Sequence, residues 1–393
     1  MSANATHEFL APIGGIPDAL DFAPSIVFAT LYAVLVPVAI WRISHPRSRT
    51  TVLLGTTFFS IERVVSYSLR ANAARDAAFR ANGGIETYLQ TTYSSGFIAI
   101  GQDLVNLLRA LLVASTLGGD MLAHHKLTPP HVRKAQKQAQ KERQIGSEME
   151  LAPRVPVGNN EQGDEAHKAE VEVEVEVGLE MGTADPDRDG ASPRTIASGP
   201  EFADQTKLRK TIRQWLGVAT LLFLLAVIVN AIAGGNYKVT VTGSNGGLVR
   251  ALWYVSTVLA IALLVAAALT ALVASQKLPR VPRTSALWIV VVACLLSIVG
   301  IYLLTVISHS TTSLLSTGPG TQNSPRDKAV FYALHAAPEF VSVAILLSLN
   351  ARRVFGTGPW GDLRARDPKP KASTKPAAEV ESGTPAEAQC SSS

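Results

Sequence analysis

The chain has 393 residues, of which 47% are hydrophobic and only 17% charged, with a formal net charge of +5. Two cysteines, Cys294 in an apolar run and Cys390 in a polar stretch, exclude a disulfide framework. The basic residues cluster beside apolar runs, which points to control of membrane topology and away from nucleic-acid binding.

The averages conceal two populations. Blocks of about twenty apolar residues alternate with two long polar blocks, the composition of an all-α polytopic membrane protein. Residues 1–22 read as an extracellular or lumenal tail without a Lys or Arg, and they lack the basic start and apolar core of a secretory signal peptide. Asn4-Ala5-Thr6 is a sequon, so Asn4 is a glycosylation candidate if that tail faces outward.

Span 1 is expected over 23–43, with Pro37 inside it, and Arg42, His45, Arg47 and Arg49 follow in a tight loop. Span 2 is expected over 51–69, then a loop to Tyr93 turning at Gly83-Gly84. Span 3 is expected over 95–117. Residues 118–208 are rich in Gln, Lys, Glu, Pro and Gly and poor in aromatics, so they read as a disordered cytoplasmic loop. Within it, 129–143 carries helix formers and positive charge. The stretch 169–177 (AEVEVEVEV) alternates at period two but has no visible partner strand.

Span 4 is expected over 212–233, span 5 over 249–275, span 6 over 285–308 and span 7 over 329–349. The membrane blocks are thus 23–117 and 209–350, and 351–393 reads as a disordered cytoplasmic tail. Val354, Phe355 and Trp360 are expected to hold its first turn at the interface. With the N-terminus outside, about 17 Lys and Arg flank the cytoplasmic ends of the spans and about 7 the outer ends. The reading is therefore seven transmembrane helices, N-out and C-in, in the plasma membrane or an endomembrane.

Ionisable residues inside spans carry the functional argument, because each costs at least about 2.5–3.5 kcal/mol at the centre of a bilayer and so needs an interior partner. Glu62 and Arg63 lie mid-span in FFSIERVVSYSLR (58–70), with Ser66 and Tyr67 one turn on. In span 3, Gln102, Asp103, Asn106 and Arg109 fall within one arc at about 100° per residue. In span 7, His335, Glu339 and Ser342 share a face beside Pro338. Three helices place these groups near one depth, about 16 Å along span 2 for Glu62, which predicts one interhelical network. Three carboxyls face two arginines there, so a proton, His335 or a cationic ligand is needed to balance the charge. The plainer alternative is that such pairs only fix helix register.

Other chemistry is poorly supported. His124, His125 and His131 lie near one another without an acid or Cys for a metal site, and the terminal Cys390-Ser391-Ser392-Ser393 lacks the aliphatic middle of a prenylation box. No Gly-x-Ser-x-Gly elbow, phosphate-binding glycine loop or His pair for a zinc hydrolase occurs in the spans. Lys328, at the edge of span 7, is misplaced for a retinal site. Seven spans match the layout of G-protein-coupled receptors, but the Asp-Arg-Tyr and Asn-Pro-x-x-Tyr motifs are missing. No enzyme activity, cofactor or metal is expected.

Ala23-Pro24-Ser25 at the opening of span 1, with Glu62, Tyr67 and Arg70 in span 2, resembles the fungal lipid-translocating exporters of the aminocholesterol-resistance type. Ser66 stands where those proteins carry Gly, and their Asp- and Gln-rich motifs in spans 4 and 5 are not found here. Ala337-Pro338-Glu339 and Arg352 to Gly356 resemble further seven-span proteins of filamentous fungi. The resemblance implies handling of a lipid or amphiphile. The expected function is binding or translocation of such a molecule through the network Glu62, Arg63, Tyr67, Gln102, Asp103, Asn106, Arg109, His335 and Glu339. Its expected partners are membrane lipids, a lipidic ligand, and cytoplasmic proteins recruited by 118–208 and 351–393. The alternatives are a seven-span sensor and a non-transporting membrane scaffold.

Overall fold

The computed structural model describes residues 8–45, 48–117, 205–243, 246–278, 280–318, 320–358 and 362. Asn4, the three clustered histidines, the segments 129–143 and 169–177, Trp360 and Cys390 lie outside the described residues, as does the disorder expected of the long loop and tail. The helices form one compact unit drawn from residues 1–116 and 205–393.

The long helices are α1 (Phe22–Ser44), α2 (Leu54–Arg75), α4 (Gly83–Ser115), α5 (Thr206–Gly235), α7 (Gly246–Lys277), α8 (Arg283–Ser308) and the pair α9 (Pro325–Phe331) and α10 (Ala337–Ser348). Short helices α3 (Ala77–Arg80), α6 (Tyr237–Val241) and α11 (Ala351–Val354) lie between or after them, and β1 (Phe9–Leu10) pairs antiparallel with β2 (Ser310–Thr311). Among the described residues six stretches are long and apolar enough to cross a membrane: those of α1, α4, α5, α7, α8 and the continuous run Pro325–Ser348. The α2 helix has the length, at 22 residues, but Glu62, Arg63 and its polar second half remove the apolar window.

The bundle is built around α4. Its most apolar window is 72% buried, against 22–50% in the other five, and it packs on α5, α2, α8, α7 and α10. That explains why α4 tolerates so many polar residues: they face other helices. The outer helices carry large apolar side chains on the surface, among them Val34, Leu221, Val255 and Ile301, as a lipid-facing rim requires.

Several boundaries differ from the sequence expectation for local reasons. Gly83-Gly84 is no turn but the first turn of α4. The Asn82 side chain accepts the Gly84 N–H at 2.9 Å and so caps the helix. Likewise α2 continues six residues past Leu69, to Arg75, and α5 starts at Thr206, inside the region read as loop. The start of the tail is packed, with Phe355 buried and the Val354 carbonyl accepting from Ser285 Oγ at 2.6 Å. Between α9 and α10 the run Tyr332–Ala336 is a π-helix, in which the Ala337 N–H reaches the Tyr332 carbonyl. Pro338 has no N–H to give the preceding turn, and the wider turn accommodates that loss.

The largest departure is at the N-terminus. Residues 8–21, read as part of a tail, are packed into one end of the bundle, and Phe9, Leu10, Ala11, Ile13 and Ile16 are all buried. Side chains from the bundle satisfy the segment's backbone. Gln90 Oε1 accepts from Ile13 N at 2.7 Å, Asn323 Oδ1 from Ile16 N at 2.8 Å, and Tyr237 donates to the Leu10 carbonyl at 3.1 Å. Gly14 and Gly15 have φ of +71° and +68°, and a Cβ on Gly14 would lie 2.8 Å from the Phe331 ring. Only glycine combines that left-handed backbone with so close an approach.

Candidate functional site

The structure sorts the ionisable groups into separate layers instead of one network. The middle layer joins α2, α4 and α10. Arg63 grips Glu339 with two parallel bonds, Nε to Oε2 and Nη2 to Oε1, both 2.9 Å, and neither side chain is exposed. This fork geometry is the strong form of an Arg–carboxylate pair. A third bond runs from Nη1 to Glu62 Oε2 at 3.1 Å and a fourth from Nη2 to the Thr92 carbonyl at 3.1 Å. The guanidinium also lies over the Phe59 ring, 4.4 Å from its centroid. Gly96 of α4 is what lets the three helices close, since a Cβ there would overlap Arg63, Glu339 and Phe59.

Glu62 differs from its neighbours. Its carboxylate accepts from Ser66 Oγ, from Tyr88 OH at 3.1 Å and from Arg63, yet 26% of its side chain is exposed. On the same helical face Phe58, Ile61 and Val65 are exposed too. Glu62 therefore borders the outer apolar surface at the seam of α2 and α4. His335 completes the layer. Its Nε2 meets the Tyr93 carbonyl at 3.0 Å, which places the ring hydrogen on Nε2. Its Nδ1 lies 4.0 Å from Glu339 Oε2 and has no hydrogen-bond partner. The hydroxyls of Tyr32, Tyr67 and Tyr93 are buried without a hydrogen-bond partner as well, while their rings line up in a row, Tyr32 stacked on Tyr67 and Tyr93 tilted against it, with centroids 6.0 Å apart in each pair.

The span 3 residues expected to join this layer do not. Asp103 Oδ2 accepts the Thr56 N–H at 2.6 Å and Thr56 Oγ1 at 2.7 Å. The α2 N-cap residue, Leu53, has no side chain to offer its first turn. A carboxylate from α4 therefore supplies the cap and meets the positive end of the helix dipole. Asn106 accepts from Thr220 of α5 at 3.2 Å, and Arg109 pairs with Asp362 at 3.4 Å, which Arg213 also holds. Gln102 is half-buried on the same helix and bonds to none of them. The shared arc was real, but α4 is ringed by helices, so successive turns of that arc meet different partners.

Two polar clusters were missed from sequence. At the end that holds the N-terminal segment, Asp21 accepts from Arg70 Nη2 at 2.8 Å, from Tyr332 OH at 3.0 Å and from Lys328. Lys328 also reaches Asp18 at 3.1 Å and the Ile16 carbonyl at 2.8 Å, and Arg70 reaches the Gly14 carbonyl. Asp21, Arg70 and Lys328 are all buried. The signal was an acid at the start of span 1, a cation at the end of span 2 and another at the start of span 7, three positions at one level of an alternating bundle. The second cluster centres on Asn230, alone in the apolar run of α5, which bonds Ser94 Oγ at 2.6 Å and Ser256 Oγ at 3.2 Å. An isolated amide in such a run is itself a marker of a helix contact.

Among the described residues no three His, Cys, Asp or Glu side chains converge to hold a metal ion. A helical bundle with six membrane-length apolar stretches and ionisable groups paired in its interior defines a multi-pass integral membrane protein. Residues 191–353 match the family model of a domain of unknown function, DUF7937, which takes in α5 to α10 with His335 and Glu339 and leaves α1 to α4 outside. No curated protein and no solved structure matches the chain.

Proposed function

We propose that the chain is a seven-span membrane protein, N-out and C-in, that binds an amphiphile with a cationic headgroup from the lipid phase, with Glu62 as the contact. The α2 helix is the seventh span in this reading, since 22 residues rise about 33 Å. The observation that carries it is the imbalance of the middle layer: two carboxylates, Glu62 and Glu339, share one guanidinium, and the less buried of the two lies at an apolar seam. A positively charged headgroup entering between α2 and α4 balances the layer, and the exposed Phe58, Ile61 and Val65 receive its apolar chain. The resemblance at Glu62, Tyr67 and Arg70 to lipid-translocating exporters supports the same reading.

The test is flux of a fluorescent long-chain amine across proteoliposomes holding the purified protein. Glu62→Gln is expected to lower the rate at least tenfold while the protein keeps its thermal stability. Unchanged flux in a folded Glu62→Gln protein would sink the transport reading. A second reading is favoured by the fully buried Arg63–Glu339 fork. There the charges serve only to lock α2 to α10, and neutralising Glu62 leaves both flux and ligand binding as they were.

A further inference from the structure

Away from Glu62, a groove of about 330 Å³ opens on the side of the bundle between α8 and the α9–π-helix run. That volume lies at the lower end of the about 300–1,000 Å³ typical of small-molecule sites. One wall is a stripe of α8 spaced at helical periodicity, Ile298, Ile301 and Thr305, with His309 just past the helix end. The facing wall is Asp327, Val330 and Leu334. The two walls belong to chains running in opposite directions, yet both grade from polar to apolar in the same sense. His309 and Thr305 stand across from Asp327 at one end, and Ile298 and Ile301 across from Leu334 at the other. The apolar end is open sideways, with Ile298, Ile301 and Leu334 respectively 40%, 56% and 44% exposed.

At the polar end Gln322 holds a left-handed backbone, φ +64°, the one such non-glycine residue among those described. The residue lines the groove, with Tyr302 OH 3.4 Å from its Oε1. The neighbouring π-helix is a feature found frequently at functional sites.

We propose that this groove is a binding site for a sterol, a compact apolar body with one hydroxyl. Its hydroxyl is met by His309, Gln322 and Asp327, and its ring system lies on Ile298, Ile301 and Leu334. Three observations select that occupant. No lining residue is Lys or Arg and one is acidic, which disfavours a phosphate headgroup. Polar partners sit at one end only, matching a single polar group. From Ile298 to the end of the helix at Ser308, α8 rises about 15 Å along the groove, room for one compact body and not for two extended acyl chains.

The test is photolabelling of the full chain in nanodiscs with a photoactivatable alkyne sterol. Labelling is expected to map to peptides holding 298–309 and 322–334 and to be competed by unlabelled sterol, with phosphatidylcholine and diacylglycerol at least tenfold weaker as competitors. Ile301→Trp and Leu334→Trp fill the groove from its lipid-facing side and are each expected to cut labelling at least tenfold. Leu221→Trp, on the exposed face of α5, leaves it unchanged. Label spread over the lipid-facing surface, equal competition by phosphatidylcholine, or full labelling of a folded Leu334→Trp protein would overturn the proposal. The wild-type competition arm decides even if a tryptophan variant fails to fold, and none of these outcomes depends on Glu62.

Discussion

Arg63→Met destabilises the bundle by about 3–5 kcal/mol, the loss expected when one partner of a buried ion pair is removed. Arg63 is fully buried and donates to Glu339 twice, to Glu62 and to the Thr92 carbonyl, so its loss leaves a carboxylate with no counter-charge inside the protein. The residual His335 Nδ1, 4.0 Å away, is too distant to replace a bidentate clasp. The double variant Arg63→Met with Glu339→Leu is expected to recover most of the loss, because a hydrophobic pair of similar volume carries no desolvation cost. Thermal unfolding in detergent micelles measures both. A single variant within about 1 kcal/mol of the wild type, the range of an exposed pair, would mean that the pair is not sealed as the structure shows.

Arg70→Leu frees the N-terminal segment. Arg70 holds Asp21 and the Gly14 carbonyl together, and without it Asp21 keeps Lys328, Tyr332 and the Asp18 N–H while that carbonyl loses its donor. An unsatisfied buried group costs about 1–3 kcal/mol and the broken ion pair more, enough to raise amide hydrogen exchange across residues 8–21 by a factor of a hundred or more. Exchange in the rest of α4 and α8 is expected to change little. Gly15→Ala should act in the same direction without touching a charge, since its Cβ would overlap the Gln322 carbonyl at φ +68°. Unchanged exchange over residues 8–21 in both variants would contradict the docked arrangement.

The course of the chain was largely legible because apolar runs of span length leave little choice: each must be a helix when no water is at hand for its backbone. The middle layer was half legible. Glu62, Arg63, His335 and Glu339 meet as their depths foretold, because burial of a charge demands a partner on another helix. Asp103, Asn106 and Arg109 went elsewhere, since an arc on one helix does not say which neighbour each turn faces. The N-terminal segment was illegible for a related reason. Its few apolar residues show no helical period, and what binds it is backbone, held by Gln90, Asn323, Tyr237 and Arg70 from distant parts of the chain. Lys328 lay at the edge of its span by sequence, yet it is buried because the docked segment covers that edge.

Taken together, the layers assign different tasks to similar residues. Asp103 caps a helix, Asp21 docks a segment and Glu339 locks α2 to α10, each with its own donors. Glu62 alone among them combines a shared counter-charge with a side open to the apolar surface.

The most direct measurement is therefore equilibrium binding of a long-chain alkylamine to the protein in neutral-lipid nanodiscs, with the uncharged alcohol of the same chain length as control. The expected result is saturable binding of the amine, at least tenfold weaker for the alcohol, and at least tenfold weaker for the amine in Glu62→Gln. Equal affinity for amine and alcohol, or an unaltered amine affinity in a folded Glu62→Gln protein, would contradict Glu62 as the site.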